Sequence, residues 1–128
     1  MGDQYTPKVG DVCWYWAGEM NLPLQVTVVE TVANPMFVGH EDTTNPFIER
    51  DRTLYRIRRV KGQDVRRLHQ YPVLAYGLFP TLDEARKWCR AWHQFILDWK
   101  RDHPNHDSKR QIASTKRRLR ELEALSDG

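Results

Sequence analysis

The stretch TLDEARKWCRAWHQFILDWKRD, residues 81–102, constrains the fold more than any other part of the chain. At about 100° per residue, Leu82, Ala85, Trp88, Cys89, Trp92, Phe95, Ile96 and Trp99 fall within an arc of roughly 140°, with nearly every charge opposite. Thr81 followed three residues later by Glu84 is a capping box that starts a helix, and Pro104 ends it by disfavouring helical geometry at His103. Burying the Trp, Phe, Ile and Leu side chains would contribute at most roughly 12 to 18 kcal/mol. The sequence therefore predicts that this stripe is covered, with Trp14 and Trp16 as the wall on which Trp88 and Trp92 pack.

The residues before the helix read as short strands. In KVGDVCWYW a turn at Gly10 and Asp11 leads into a strand with Val12, Trp14 and Trp16 on one face and Cys13 and Tyr15 on the other. LQVTVVETV, from Leu24, is a second strand, and Met36 to Val38 a short third one after the Asn34-Pro35 turn. Residues 39–51 have no period and read as a long loop. TLYRIRRV is a fourth strand, with Tyr55 and Ile57 inward. DVRRLHQ returns beside it, and VLAYGLF from Val73 to Phe79 is a last, buried strand. Ser108 and Gln111 form a second capping box that opens a helix to about Leu125. Its apolar stripe is thin: Ile112, Leu119, Leu122 and Leu125.

This order predicts an α+β fold, a small antiparallel barrel or bent sheet packed on the Trp-rich helix. Residues 1–107 form one globular domain, and residues 108–128 a C-terminal basic helix whose thin stripe docks on the domain or pairs in a weak homodimer. The chain of 128 residues is long enough for a core of its own. PKVGDVCWYW followed by QVTVVETV resembles the first two strands of small SH3-like barrels, including those of bacteriophage proteins. Over residues 8–80 the resemblance implies a binding module, because such barrels more often hold peptides, nucleic acids or proteins than perform chemistry.

Charge singles out a surface. The net charge is +3, yet residues 1–48 hold one basic and six acidic residues, whereas residues 49–70 hold eight basic and three acidic. With Tyr55 and Ile57 inward, Arg56 and Arg58 point out, and Arg50, Arg52, Arg59, Lys61, Arg66 and Arg67 crowd the same region. Such a basic ribbon can follow a phosphate backbone, or can pair with the acidic first third of the same chain. The last helix adds Lys116 and Arg117, although Glu121 and Glu123 can pair with Arg117 and Arg120 one turn away. Tyr15, opposite Trp14 and Trp16, is the expected surface aromatic.

Other chemistries have little support. His40, Glu41, Asp42, Glu49, Asp51 and His69 could do acid or base work, but no nucleophile motif, P-loop or glycine-rich dinucleotide turn accompanies them. Cys89 with His93, and His103 with His106, lack the ligand pairs of a structural zinc. Neither a catalytic centre nor a cofactor nor a metal is expected. No apolar run approaches a membrane span, and Cys13 and Cys89 among aromatics read as buried reduced thiols, so a cytoplasmic location is expected. The reading is a non-enzymatic module that engages nucleic acid or a nucleoprotein through its basic ribbon. The alternative is a phage-type inhibitor that binds a host defence protein.

Overall fold

The computed structural model describes residues 5–17, 20, 22–37, 52–61 and 71–126. Strands β1 (Val12–Tyr15), β2 (Leu24–Ala33), β3 (Thr53–Arg59) and β4 (Leu78–Phe79) form an antiparallel sheet in the order β3-β2-β1-β4. Helices α1 (Leu82–Asp102) and α2 (Ser108–Ala124) follow. The fold is therefore α+β, as the strand and helix patterns require.

The alternation read from the sequence sets the two sheet faces. Cys13, Val26, Val28, Tyr55, Ile57 and Leu78 point to one side and form the main core with Val73 and Ala75. Trp14 points to the other side, where it packs with Phe79, Leu82, Ala85 and Leu125. The turn before β1 uses Gly10 at φ 94°, a backbone shape that side-chain-bearing residues rarely adopt. Gly10 N–H donates to Val28 O at 2.8 Å, which docks the turn on β2.

Two expected strands differ. Met36 lies in a 3-10 turn, Pro35–Phe37, because the Asn34 side chain accepts from Met36 N–H at 3.1 Å and curls the chain locally; Val38 lies outside the described residues. The stretch from Val73 to Phe79 is not one strand. Val73 makes a two-bond bridge with Tyr55 on the free edge of β3, Ala75–Gly77 forms a 3-10 turn, and Leu78 and Phe79 pair with β1. This segment thus hydrogen-bonds to strands at opposite sides of the sheet. Gly77 is needed at the turn, since a Cβ there would lie 3.0 Å from the Tyr15 ring.

The largest departure concerns α1. Its start is as expected, with the Thr81 hydroxyl accepting from Glu84 N–H at 3.2 Å. Its buried line, however, is Leu82, Ala85, Cys89, His93 and Leu97. Trp88, Trp92, Phe95 and Trp99 are 55%, 40%, 57% and 52% exposed, so the wall of Trp14 and Trp16 does not meet Trp88 and Trp92. The sheet meets α1 at Leu82 and Ala85. Helix α2 lies antiparallel along the rest of the buried line, with Leu122, Thr115 and Ser108 facing inward. Its seam is narrow and built largely of small residues, so it covers a narrow strip of α1 and leaves the aromatics outside.

The interhelical ties explain why α2 is docked. Arg86 donates to Leu122 O at 3.3 Å and to Leu125 O at 2.5 Å, satisfying carbonyls at the end of α2. Arg90 pairs with Glu123 at 2.7 Å, and Lys100 Nζ donates to Gln111 Oε1 at 2.8 Å. The expected Ser108–Gln111 capping box is absent. The Ser108 hydroxyl accepts from Asn105 N–H at 2.6 Å instead, and Gln111 is engaged by Lys100. Leu122 is buried against α1 and Leu125 packs with Trp14, so α2 docks on the domain, one of the two arrangements that the sequence allowed.

Candidate nucleic-acid interface

Strand β3 positions the central arginines by simple alternation. Tyr55 and Ile57 are 5% and 1% exposed in the core, which turns Arg56 and Arg58 to the opposite face. That face is the one carrying Trp14, since Arg58 stands opposite Thr27 and Thr27 opposite Val12. The register shift between Val28 and Glu30 puts Glu30 opposite Arg56, and the two pair at 2.9 Å. Arg56 is thus engaged with the acidic first third of the chain, as one of the two sequence readings allowed. Arg58, Arg59 and Lys61 are exposed, and Arg52 is half-buried at the start of the strand. Arg50, Arg66 and Arg67 lie outside the described residues, as do His40, Glu41, Asp42, Glu49, Asp51 and His69.

Tyr15 is not the surface aromatic expected. It is half-buried on the core face beside Leu24 and Leu78, and burial raises its phenol pKa. Its ring lies where Gly77 leaves space, so the position reads as packing.

A groove of about 350 Å³ runs from the basic end of β3 to the C-terminal end of α2, segments that are distant in sequence. Trp14, Gln25 and Leu125 line it, with Arg59 and Lys61 on one side and Ala124 and Ser126 on the other. The end of β3 and the end of α2 therefore border the same groove. On α2, Lys109, Arg110, Lys116, Arg117 and Arg120 are exposed. Arg117 lies 4.0 Å from Glu121, a long and exposed pair that contributes little. Glu123 is drawn to Arg90 on α1 instead of to Arg120, which has no acidic partner among the described residues. The helix consequently presents more positive charge than pairing within its own sequence suggested.

A second constellation at the start of the chain is structural. Tyr5 OH donates to Asp11 Oδ2 at 2.7 Å and Lys8 N–H to the same oxygen at 3.0 Å. The Tyr5 bond, then the backbone bond, hold the Asp11 carboxyl below its ordinary pKa, while burial and this bond push the Tyr5 phenol well up. Burial also pushes the Cys13 and Cys89 thiols up to about 11. Among the described residues no group of His, Cys, Asp and Glu could hold a metal ion, and no helix is long and apolar enough to cross a membrane.

The sequence missed the groove because its walls come from residues about 65 apart in the chain, Arg59 and Ala124. A local pattern cannot show which helix end meets which strand end. It also missed the exposed aromatics, although the run of small residues Ala85, Cys89 and the line through His93 was a signal of close helix pairing. No protein-family model, curated protein or solved structure matches the chain.

Proposed function

We propose that the protein is a non-enzymatic module that binds nucleic acid through its phosphates, along the outward face of α2 and the groove at the end of β3. The observation that carries this reading is the exposure of Arg58, Arg59 and Lys61 at the end of β3 and of Lys116, Arg117 and Arg120 on α2, with a groove running from Arg59 and Lys61 to Ala124 at the end of that same helix. Phosphate recognition needs several exposed cations along a surface and little else, and gives affinity without sequence preference. The segment linking β3 to β1 through Val73 and Leu78 supports the SH3-like barrel reading of the sheet. Two buried thiols, not joined to each other, support a reducing, cytoplasmic setting.

Four contacts, from Arg59, Lys61, Lys116 and Arg117, give a slope of log K against log salt of about −3.6 on duplex DNA. Raising salt from about 50 to about 200 mM then weakens binding on the order of 10²-fold. The paired change Lys116→Ala with Arg117→Ala reduces the slope by roughly 1.8 and weakens all sequences alike, with the fold retained. Fluorescence anisotropy on mixed-sequence DNA and RNA tests this. Absence of binding at about 100 mM salt up to ~10⁻⁴ M protein refutes it, and the host-protein inhibitor then becomes the reading to pursue.

A further inference from the structure

We propose that the aromatic face of α1 is the contact between two copies of this chain, packed with their α1 helices parallel about a two-fold axis. Trp88, Trp92, Phe95 and Trp99 recur at spacings of four, three and four residues, within an arc of about 60°. Each is 40% or more exposed, and Trp92 and Phe95 already stack at 6.0 Å. A contiguous set of four large aromatics on one face is the kind of patch that marks an interaction surface.

The charges beside the stripe identify the occupant. On the side away from α2, the helix turn places Glu84, Asp98 and Asp102, with Lys87 further round. On the other side Ile96 leads to α2, where a small cleft beside it is lined by Ser114, Arg110 and Arg118. Across its width the face thus runs acidic, aromatic, basic. These charges are not satisfied locally. Asp98 accepts from the neutral Gln94 amide at 3.0 Å, and among the described residues Glu84, Asp98, Asp102, Arg110 and Arg118 have no ion-pair partner.

Such a face is complementary to itself in one sense of rotation. A two-fold axis along α1 lays stripe on stripe and turns the acidic border of each copy over the basic border of the other. An axis across the helix would oppose acid to acid and base to base. The levels agree with the first arrangement. The Lys100–Gln111 and Arg90–Glu123 ties fix the antiparallel register of the helices, so that Asp98 and Asp102 stand level with the stretch from Arg110 to Arg118. A nucleic-acid strand stacked on the same aromatics would run its phosphates beside Glu84, Asp98 and Asp102, which disfavours it.

Analytical ultracentrifugation of the full chain across a concentration series tests the proposal. The wild type passes from monomer to dimer, and Trp92→Glu raises the dissociation constant on the order of 30-fold or more, as loss of a central aromatic contact should. Two charge-reversed chains provide the sharper test. Asp98→Arg with Asp102→Arg, and Arg110→Glu with Arg118→Glu, are each monomeric with unchanged circular dichroism, whereas their equimolar mixture forms a heterodimer. A wild type that stays monomeric, a dimer indifferent to Trp92→Glu, or a mixture that stays monomeric overturns the proposal. A monomer whose tryptophans are quenched by a single-stranded oligonucleotide overturns it in favour of a stacking platform. A monomer whose tryptophans resist acrylamide overturns it in favour of cover by the chain itself.

Discussion

Replacing Leu122 by Ala separates the seam between the helices from the aromatic stripe as the source of stability. Leu122 is 0% exposed on the inward face of α2. The change removes three carbons from a closed site, about 2.4 kcal/mol at about 0.8 kcal/mol per carbon. A cavity that cannot collapse raises the cost toward ~5 kcal/mol. At about 4 °C per kcal/mol for a domain of this size, the melting temperature falls by roughly 10 to 20 °C. Phe95→Ala is the control. Phe95 is 57% exposed and its ring contact is with Trp92, so its loss costs no more than about 1.5 kcal/mol. Thermal and urea melts should be run at the dilute end of a concentration series, so that association does not contribute. If Phe95→Ala lowers the melt as much as Leu122→Ala, or more, the stripe is buried and the placement of α2 described above is wrong.

Other perturbations probe separate parts of the fold. Asp11 has its pKa lowered in the folded state, so its contribution to stability is present above its ordinary value of 3.8 and is lost as pH falls through the folded value. Tyr5→Phe removes the main cause, and urea midpoints followed from about pH 5 to about pH 2 should then fall less steeply than in the wild type. Cys13 and Cys89 are buried thiols with pKa near 11, so iodoacetamide at about pH 8 should label neither at an appreciable rate in the native protein and both in guanidinium. Arg86→Ala leaves the carbonyls of Leu122 and Leu125 without this donor; hydrogen bonds from a charged group contribute about 1.5 to 3 kcal/mol. Hydrogen exchange in the last turn of α2 should accelerate in that variant.

Local physics was legible in the sequence and long-range geometry was not. The period-two alternation of Tyr55, Arg56, Ile57 and Arg58 placed β3 correctly, because a side chain's face in a strand follows from its neighbours alone. Gly10, Thr81 and Pro104 marked their turn and helix ends for the same reason. The covered side of α1 was misread, since the hydrophobic arc of roughly 140° contains both the line that α2 covers and the line it leaves open. Hydrophobicity ranks Trp92 above Ala85, but the width of the helix that docks decides which is buried, and that width is a property of Ser108 and Thr115, 16 and 23 residues beyond Trp92. Among the arginines, the pairing of Arg56 with Glu30 depends on a bulge that shifts the register, and no pattern within β3 announces it.

Leu125 closes the smaller core against Trp14, and Arg86 grips the carbonyls of the final helical turn. As the chain is synthesised, Trp14, Phe79, Leu82 and Ala85 all precede the residues that complete their cover. Leu125 follows Ala85 by 40 residues, so the sheet and most of α1 are made while this apolar cluster is still open. Completing it closes contacts more than a hundred residues apart, the slow kind to form. Until Leu125 docks, the folding chain displays the smaller core and the aromatic face of α1 together, and such exposed apolar surface makes an intermediate prone to aggregate.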